Sequence, residues 1–521
     1  MRKCGILLHP TSLPSKYGIG DLGKSCFEFI DFLESAGMKL WQILPLGHTG
    51  FGDSPYQSFS TFACNPLLIS PEKLIEKGLI TEKDIAEYPL LKEDGVEYDK
   101  VVVEKRKLFK KAVLNFDFNN KEYKKWYREN KYWVDDYALF MALKGYFSKK
   151  REGDSAKSPE YKAYKGNAKK VNKNTLNDCY YGACWNSFPQ GLRDRDEKEL
   201  KKYTKLLKEA VNYYKYIQYE FYTQWMEVKT YANEKGISII GDIPIFVAAD
   251  SSDTWANREL FHINEKGFPN TVAGVPPDYF SVKGQLWGNP LYNWEKMKED
   301  DYLWWQKRLS SLGKLCDIIR IDHFRAFDTY YSITFGSKDA TKGKWKKGPG
   351  TDFFEKTAKA VEKNEIIAED LGDLFESVRV LRDTLGLPGM KILQFAFGSD
   401  SGNEYLPFNY GDSNTVVYTG THDNDTTLGW YQSTDERTRD RFRRILNSSG
   451  CDPAGDLIRY AISSPAKYAI IPLQDVLRLP AAARMNTPGV GKGNWQFRFK
   501  KEDLTEERAG ELKYLCELFN R

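Results

Sequence analysis

Apolar positions along this chain gather into short runs that break off at polar or charged residues. Eight runs stand out: CGILLHPTSLP (4–14), MKLWQILPLGHTG (38–50), GISIIGDIPIFV (236–247), DIIRIDHFR (317–325), NEIIAEDLGD (364–373), GMKILQFAF (389–397), NTVVYTGTHDND (414–425) and NWQFRF (494–499). Short apolar runs of this kind read as buried strands. Helical spacing fills most of the gaps. YIQYEFYTQWMEVKTYANEKG (216–236) is a long helix closed by Gly236. In DLFESVRVLRDTLGLPG (373–389), Leu374, Val378, Leu381 and Leu385 recur at helical spacing behind Asp373 as N-cap.

Strands that alternate with helices predict a parallel sheet. Eight of them predict an α/β fold closed as a (β/α)8 TIM barrel. The competing open sheet lacks support, because no GxGxxG or GxxxxGK[ST] loop follows any run. Residues 51–235 separate the second and third runs and predict a large helical insertion. Its Lys-rich piece, KSPEYKAYKGNAKKVNKN (157–174), reads as a solvated loop rather than a nucleic-acid site. We expect one catalytic domain over 1–521, with insertion subdomains at roughly 50–235 and 250–300 and no separate C-terminal β-sandwich.

Composition narrows the function classes. The 77 basic and 72 acidic residues nearly balance, which gives no reason to expect a polyanionic partner. No apolar stretch is long enough to span a membrane, and no secretory leader is evident. The 8 Cys are scattered without a CxxC pair, as thiols in a reducing compartment would be, so we expect a cytoplasmic protein. Aromatics reach 14%, which packing a core chiefly explains, although such faces also stack on sugar rings, nucleobases and cations.

The polar ends of the runs carry the candidate chemistry, since barrel enzymes react at the C-terminal ends of their strands. Asp322 follows IIRI, Glu369 follows EIIA, and Asp423 lies in YTGTHDND. Paired carboxylates suit glycosidic chemistry, one as nucleophile and one as acid. Arg320 lies two positions before Asp322, so both side chains share one face of the strand and the cation would keep Asp322 ionised. No basic residue lies within four positions of Glu369, which favours it as the acid. The HDND cluster (422–425) also has the residue types of a metal site. Periodicity alone therefore reaches a barrel enzyme that uses carboxylates.

The same residues resemble a known family. RIDHFR (320–325), AEDLG (368–372) and YTGTHDNDT (418–426) look like the catalytic motifs of the 4-α-glucanotransferases, or amylomaltases, of glycoside hydrolase family 77. LHPTSLPSKYGIGDLG (8–23), WQILPLGHTGFGDSPYQSFSTFACNP (41–66), GDIPIFVAADSSDTWAN (241–257), GVPPDYFSVKGQLWGNPLYNW (274–294), KILQF (391–395) and RMNTPG (484–489) extend the likeness in order along the chain. It is weakest between about 75 and 215, and Ala326 and Phe497 stand where the family favours Gly and Trp.

The resemblance implies Asp322 as nucleophile, Glu369 as general acid/base and Asp423 as the third carboxylate. It implies sugar contacts from Arg320, His323, His422, Tyr56 and nearby Ser54, a lid loop over 274–281 that contributes Asp278, and glucan contacts from Trp287 and Asn486. It implies no metal and no organic cofactor. The implied partners are maltooligosaccharides and starch- or glycogen-type α-1,4-glucans, with glucose as an acceptor and neither nucleic acid nor membrane. An α-amylase-type hydrolase is the main alternative; a catalytically silent glucan-binding protein and a metal-dependent hydrolase using His422, Asp423 and Asp425 are two others.

Overall fold

The computed structural model describes residues 2–153, 183–277, 281–372 and 374–521. The Lys-rich piece and Asp373 lie outside these residues. Eight parallel strands form the central sheet: β1 (Lys3–Leu7), β2 (Leu40–Gln42), β3 (Ser238–Pro244), β4 (Ile318–Asp322), β5 (Glu365–Ala368), β6 (Gly389–Ile392), β7 (Thr415–Tyr418) and β8 (Tyr468–Pro472). Every strand but β5 pairs with its successor, and β8 pairs with β1, so β5 and β6 are the two ends of the sheet. Between β5 and β6, the Ala368 amide donates to Pro388 O at 3.0 Å. The eight strands thus curl into a nearly closed barrel, with that hydrogen bond bridging the seam between β5 and β6.

One expectation is corrected. The eighth strand is Tyr468–Pro472, not the run at 494–499. YAIIP is buried at every position and ends on a proline, whose missing N–H is harmless at a strand end. NWQFRF alternates and buries Trp495, Phe497 and Phe499, yet it forms no ladder with the barrel: its β-pairing among the described residues is an isolated antiparallel bridge from Phe497 to Gly95.

β4 shows how the sequence makes a barrel strand. Ile319 and Ile321 point one way, and Arg320 and Asp322 the other. Arg320 aligns with Asp242 of β3 on one side and with Ile367 of β5 on the other. Gly241 alternates with Asp242 and lets the neighbouring helix Leu303–Leu315 close in. A Cβ there would lie 2.8 Å from Cys316 Sγ.

The helix Lys208–Glu234 stops where Gly236 turns at φ +72°, as the sequence indicated. It seals β2 from outside. Trp225 packs at 6.3 Å from Trp41, and both indole N–H groups reach backbone carbonyls, of Leu315 and Leu8. Between β2 and β3, the helix Lys121–Gly153 packs on this same helix through Tyr123 and Trp126 against Tyr219, and Phe116, just past the helix Tyr98–Leu114, joins them.

A second sheet was not foreseen. Thr271–Val275, Gln285–Pro290, Thr329–Thr334 and Gly343–Lys347 form four antiparallel strands fed from the loops after β3 and β4. Among the described residues no helix is long and apolar enough to cross a membrane.

Candidate active site

The C-terminal ends of β3, β4, β5 and β7 converge on one polar cluster. Arg320 is its hub. Its Nη1 lies 2.8 Å from both carboxylate oxygens of Asp242 and 3.1 Å from Asp322 Oδ1. The Tyr56 hydroxyl donates to Asp242 Oδ2 at 2.6 Å. Asp242 and Arg320 are each 3% exposed, whereas the Asp322 side chain keeps 27% of its surface open. A buried ion pair therefore supports a carboxylate that incoming molecules can reach.

Glu369 is fixed by backbone. Its Oε2 accepts the His323 amide at 2.6 Å and its Oε1 the Leu371 amide at 3.0 Å. His323 makes the first bond possible by adopting φ +52°, a left-handed turn that swings the chain off β4 toward the end of β5. Its imidazole meets Trp287 edge to face at 4.8 Å. Asp423 is held from the C-terminal segment. Asn486 Nδ2 donates to its Oδ1 at 2.6 Å, and Arg484 reaches its main-chain oxygen at 2.5 Å. His422 Nε2 lies 3.4 Å from the same Oδ1, and its ring stacks on Tyr56 at 5.2 Å and 13°.

The cluster's proton affinities follow from burial. Burial raises Asp322 well above the usual carboxylate range, and Asp242, Glu369 and Asp423 add to the rise against the pull of Arg320. Burial also raises Glu369, opposed by Arg320 and the two amides. Both carboxyls therefore hold a proton more strongly than they would in water. This corrects the expectation that Arg320 keeps Asp322 ionised: burial and the neighbouring carboxylates outweigh the cation, which also bears on Glu369 and spends most of its hydrogen bonding on Asp242. Burial lowers His422, and it lowers His323 to about 3 with help from Arg325, so both rings are neutral near pH 7.

Asp322, Glu369, Asp423, Arg320, His323, His422, Tyr56, Trp287 and Asn486 thus come together. Ser54 acts through Tyr56, its Oγ accepting the Tyr56 amide at 3.2 Å. Asp278 lies outside the described residues, and the implied lid enters as the strand Thr271–Val275. Asp425 accepts the Thr426 amide at 2.8 Å. Among the described residues no group of three His, Cys, Asp or Glu side chains is disposed to hold a metal ion.

Comparison with known proteins bears on this geometry. A family model described as 4-alpha-glucanotransferase, glycoside hydrolase family 77, matches residues 8–505. The chain belongs to this family. It is 43% identical to the 4-alpha-glucanotransferase of Synechocystis sp. over 100% of its own length and 98% of that protein's. It is 43% identical to that of Clostridium butyricum, covering 99% and 100%. A solved amylomaltase from Streptococcus agalactiae, in complex with acarbose, superposes with a TM-score of 0.89 at 37% identity, covering all of both chains. The amylomaltase of Corynebacterium glutamicum shares the fold at a TM-score of 0.74 and 17% identity, over 100% of this chain and 75% of that one. This family member is therefore an enzyme of the 4-alpha-glucanotransferase type on a (β/α)8 barrel.

Two residues of the cluster were not singled out from the sequence. Asp242 ends the polar break in GISIIGDIPIFV, and a carboxylate inside so apolar a run is itself the signal. Trp495, at 5.8 Å from Tyr56 and 6.0 Å from His422, was assigned to a strand and so was not placed at the mouth.

Proposed function

We propose that this chain transfers segments of α-1,4-glucans to the 4-OH of glucose or another glucan by a retaining double displacement. The observation that carries the reading is the pairing of Asp322 and Glu369 at the ends of adjacent strands, one beside a guanidinium and the other pinned by two amides.

An Asp322 oxygen attacks the anomeric carbon as the bond to the leaving glycosyl oxygen breaks. Glu369 gives that oxygen its proton, and the released glucan departs with a free 4-OH. The product is a β-linked glycosyl ester on Asp322. An acceptor 4-OH then passes its proton to Glu369 and attacks the same carbon, expelling Asp322 and restoring the α-1,4 bond. Both transition states carry positive charge at the sugar, and Asp423 offers a fixed anion to it. Tyr56 presents a ring face to the sugar, and Arg320, His323 and His422 present N–H donors to its hydroxyls. Trp287 and Asn486 extend the contacts, and Asp278 adds one from the lid.

Transfer succeeds over hydrolysis when an acceptor displaces water from the glycosyl-enzyme. The aromatic walls formed by Tyr56, Trp287 and Trp495 favour a pyranose over loose water. We read the whole chain as one catalytic domain with its insertions. Free thiols at Cys4, Cys26, Cys64, Cys316 and Cys516 fit a reducing compartment, so we place the reaction in the cytoplasm. Incubation with maltotriose tests the activity. A ladder of longer maltooligosaccharides together with glucose is expected; only shorter sugars with rising reducing ends would identify a hydrolase instead.

A further inference from the structure

His9 closes the polar end of β1 and is 4% exposed. Its Nδ1 has no hydrogen-bond partner among the described residues. Such an atom costs free energy unless something meets it. His9 lines a cavity of about 20 Å3 together with Thr421, His422, Gln474 and Arg484. That volume accommodates one water, and the lining supplies the polar groups a buried water needs. His422 belongs to the same wall while its ring stacks on Tyr56 and its Nε2 faces Asp423.

We propose that His9 is a positioning residue for His422, holding that ring neutral and in one tautomer through the water that the cavity accommodates. The idea rests on the reading of the barrel mouth as the place of glucan transfer. The electrostatic reason is direct. A protonated His422 would set a second cation beside Arg320, where positive charge must develop on the sugar. Asp423 on its own loop and Asp242 on β3 both favour that proton. Arg320 on β4 opposes it, as does burial. The remaining groups around it are Tyr56 from the loop after β2, Arg484 from the C-terminal segment, and His9 itself. Burial and His422 push His9 down to about 3, so its ring stays neutral and offers one donor and one acceptor. A neutral, polar wall gives His422 a partner other than a proton.

The test uses full-length protein labelled with 15N at its 5 histidines, and reads His422 together with the pH dependence of maltotriose turnover. The parent should show His422 as a single neutral tautomer across the active range. His9→Phe, which keeps a ring but removes both nitrogens, should let the His422 signals average between tautomers and take up a proton at higher pH. Its kcat should fall about tenfold, the worth of one hydrogen bond, with the acid limb moved upward and KM little changed. His9→Asn, with an amide near the Nδ1 position, should restore most of both readouts. Unchanged His422 resonances in His9→Phe would overturn the proposal, whatever the activity. If His9→Phe fails to fold, His9→Asn and His9→Gln decide: Gln mimics Nε2 instead, and equal His422 spectra in the two would overturn it. A parent inactive on maltotriose would sink the transfer reading, while the resonances would still report on His9.

Discussion

Arg320 serves two carboxylates through one nitrogen, with Nη1 2.8 Å from both oxygens of Asp242 and 3.1 Å from Asp322 Oδ1. Two N–H bonds thus face three acceptors, and Asp322 has the longest contact. Asp242 competes for the cation that would otherwise quench the open carboxylate. Asp242→Asn removes that competition and one of the negative charges that raise Asp322. The pKa of Asp322 should fall, so the acid limb of kcat/KM should move to lower pH. A more fully paired carboxylate is also a weaker nucleophile, so kcat should drop. An acid limb that stays in place would show that Asp242 does not set the proton affinity of Asp322. The cost in stability should be about 3–5 kcal/mol, because a buried guanidinium loses its main partner; urea titration measures it.

Tyr56 touches this network twice, through its hydroxyl to Asp242 and its ring on His422. The two roles separate by substitution. Tyr56→Phe removes a hydrogen bond to a charged group, worth about 1.5–3 kcal/mol, and should lower kcat/KM by about tenfold or more. Tyr56→Ala also removes the stacking surface, and should raise the KM for maltotriose well beyond the Phe variant. Equal KM values in the two would deny the ring any part in holding sugar.

The raised carboxyls make a statement about stability. A carboxyl whose folded pKa exceeds its unfolded value contributes stability that is complete below the unfolded value, near 4. That contribution is lost as pH rises through the folded value. Burial raises Asp322 in this way, so its ionised form works against folding at neutral pH. Asp322→Asn should abolish transfer and raise stability at pH 7 by about 0.5–2 kcal/mol. The gain should shrink toward pH 4, where the parent carboxyl is protonated in both states. A variant less stable than the parent at pH 7 would contradict the origin assigned to the shift.

The sequence made most of this mouth legible because barrel strands write their two faces as alternation. In DIIRIDHFR the apolar and charged positions already sort by side, and the structure keeps Arg320 and Asp322 on the face that aligns with Asp242. What resisted reading was pairing across distance. NWQFRF alternates as well as any strand, but alternation records burial of one side, not the ladder of hydrogen bonds. YAIIP is apolar throughout, and so short a continuous run cannot be told from a buried piece of helix by pattern. The second partner of Arg320 was hidden for the same reason, since Asp242 lies 78 positions away in sequence. The amides that hold Glu369 come from the left-handed turn at His323 and from Leu371 just past β5, and no side-chain pattern announces either.

Glu369 offers the sharpest separation of roles. Its carboxyl accepts two amides at 2.6 and 3.0 Å, so Gln in its place keeps one acceptor oxygen and the local fold. With maltotriose the leaving oxygen needs a proton, and Glu369→Gln should lower kcat by about 10²–10⁴-fold. With an α-maltosyl fluoride donor the fluoride departs without general acid help, so the first displacement should survive. The second step still needs a base to activate the acceptor. The variant should therefore release a burst of fluoride, stall, and hold a maltosyl group on Asp322. Digestion and mass spectrometry locate that group on the peptide containing RIDHFR. A label on another carboxylate, Asp423 above all, would move the nucleophile. A variant that turns over the fluoride steadily at the parent rate would deny Glu369 the role of base.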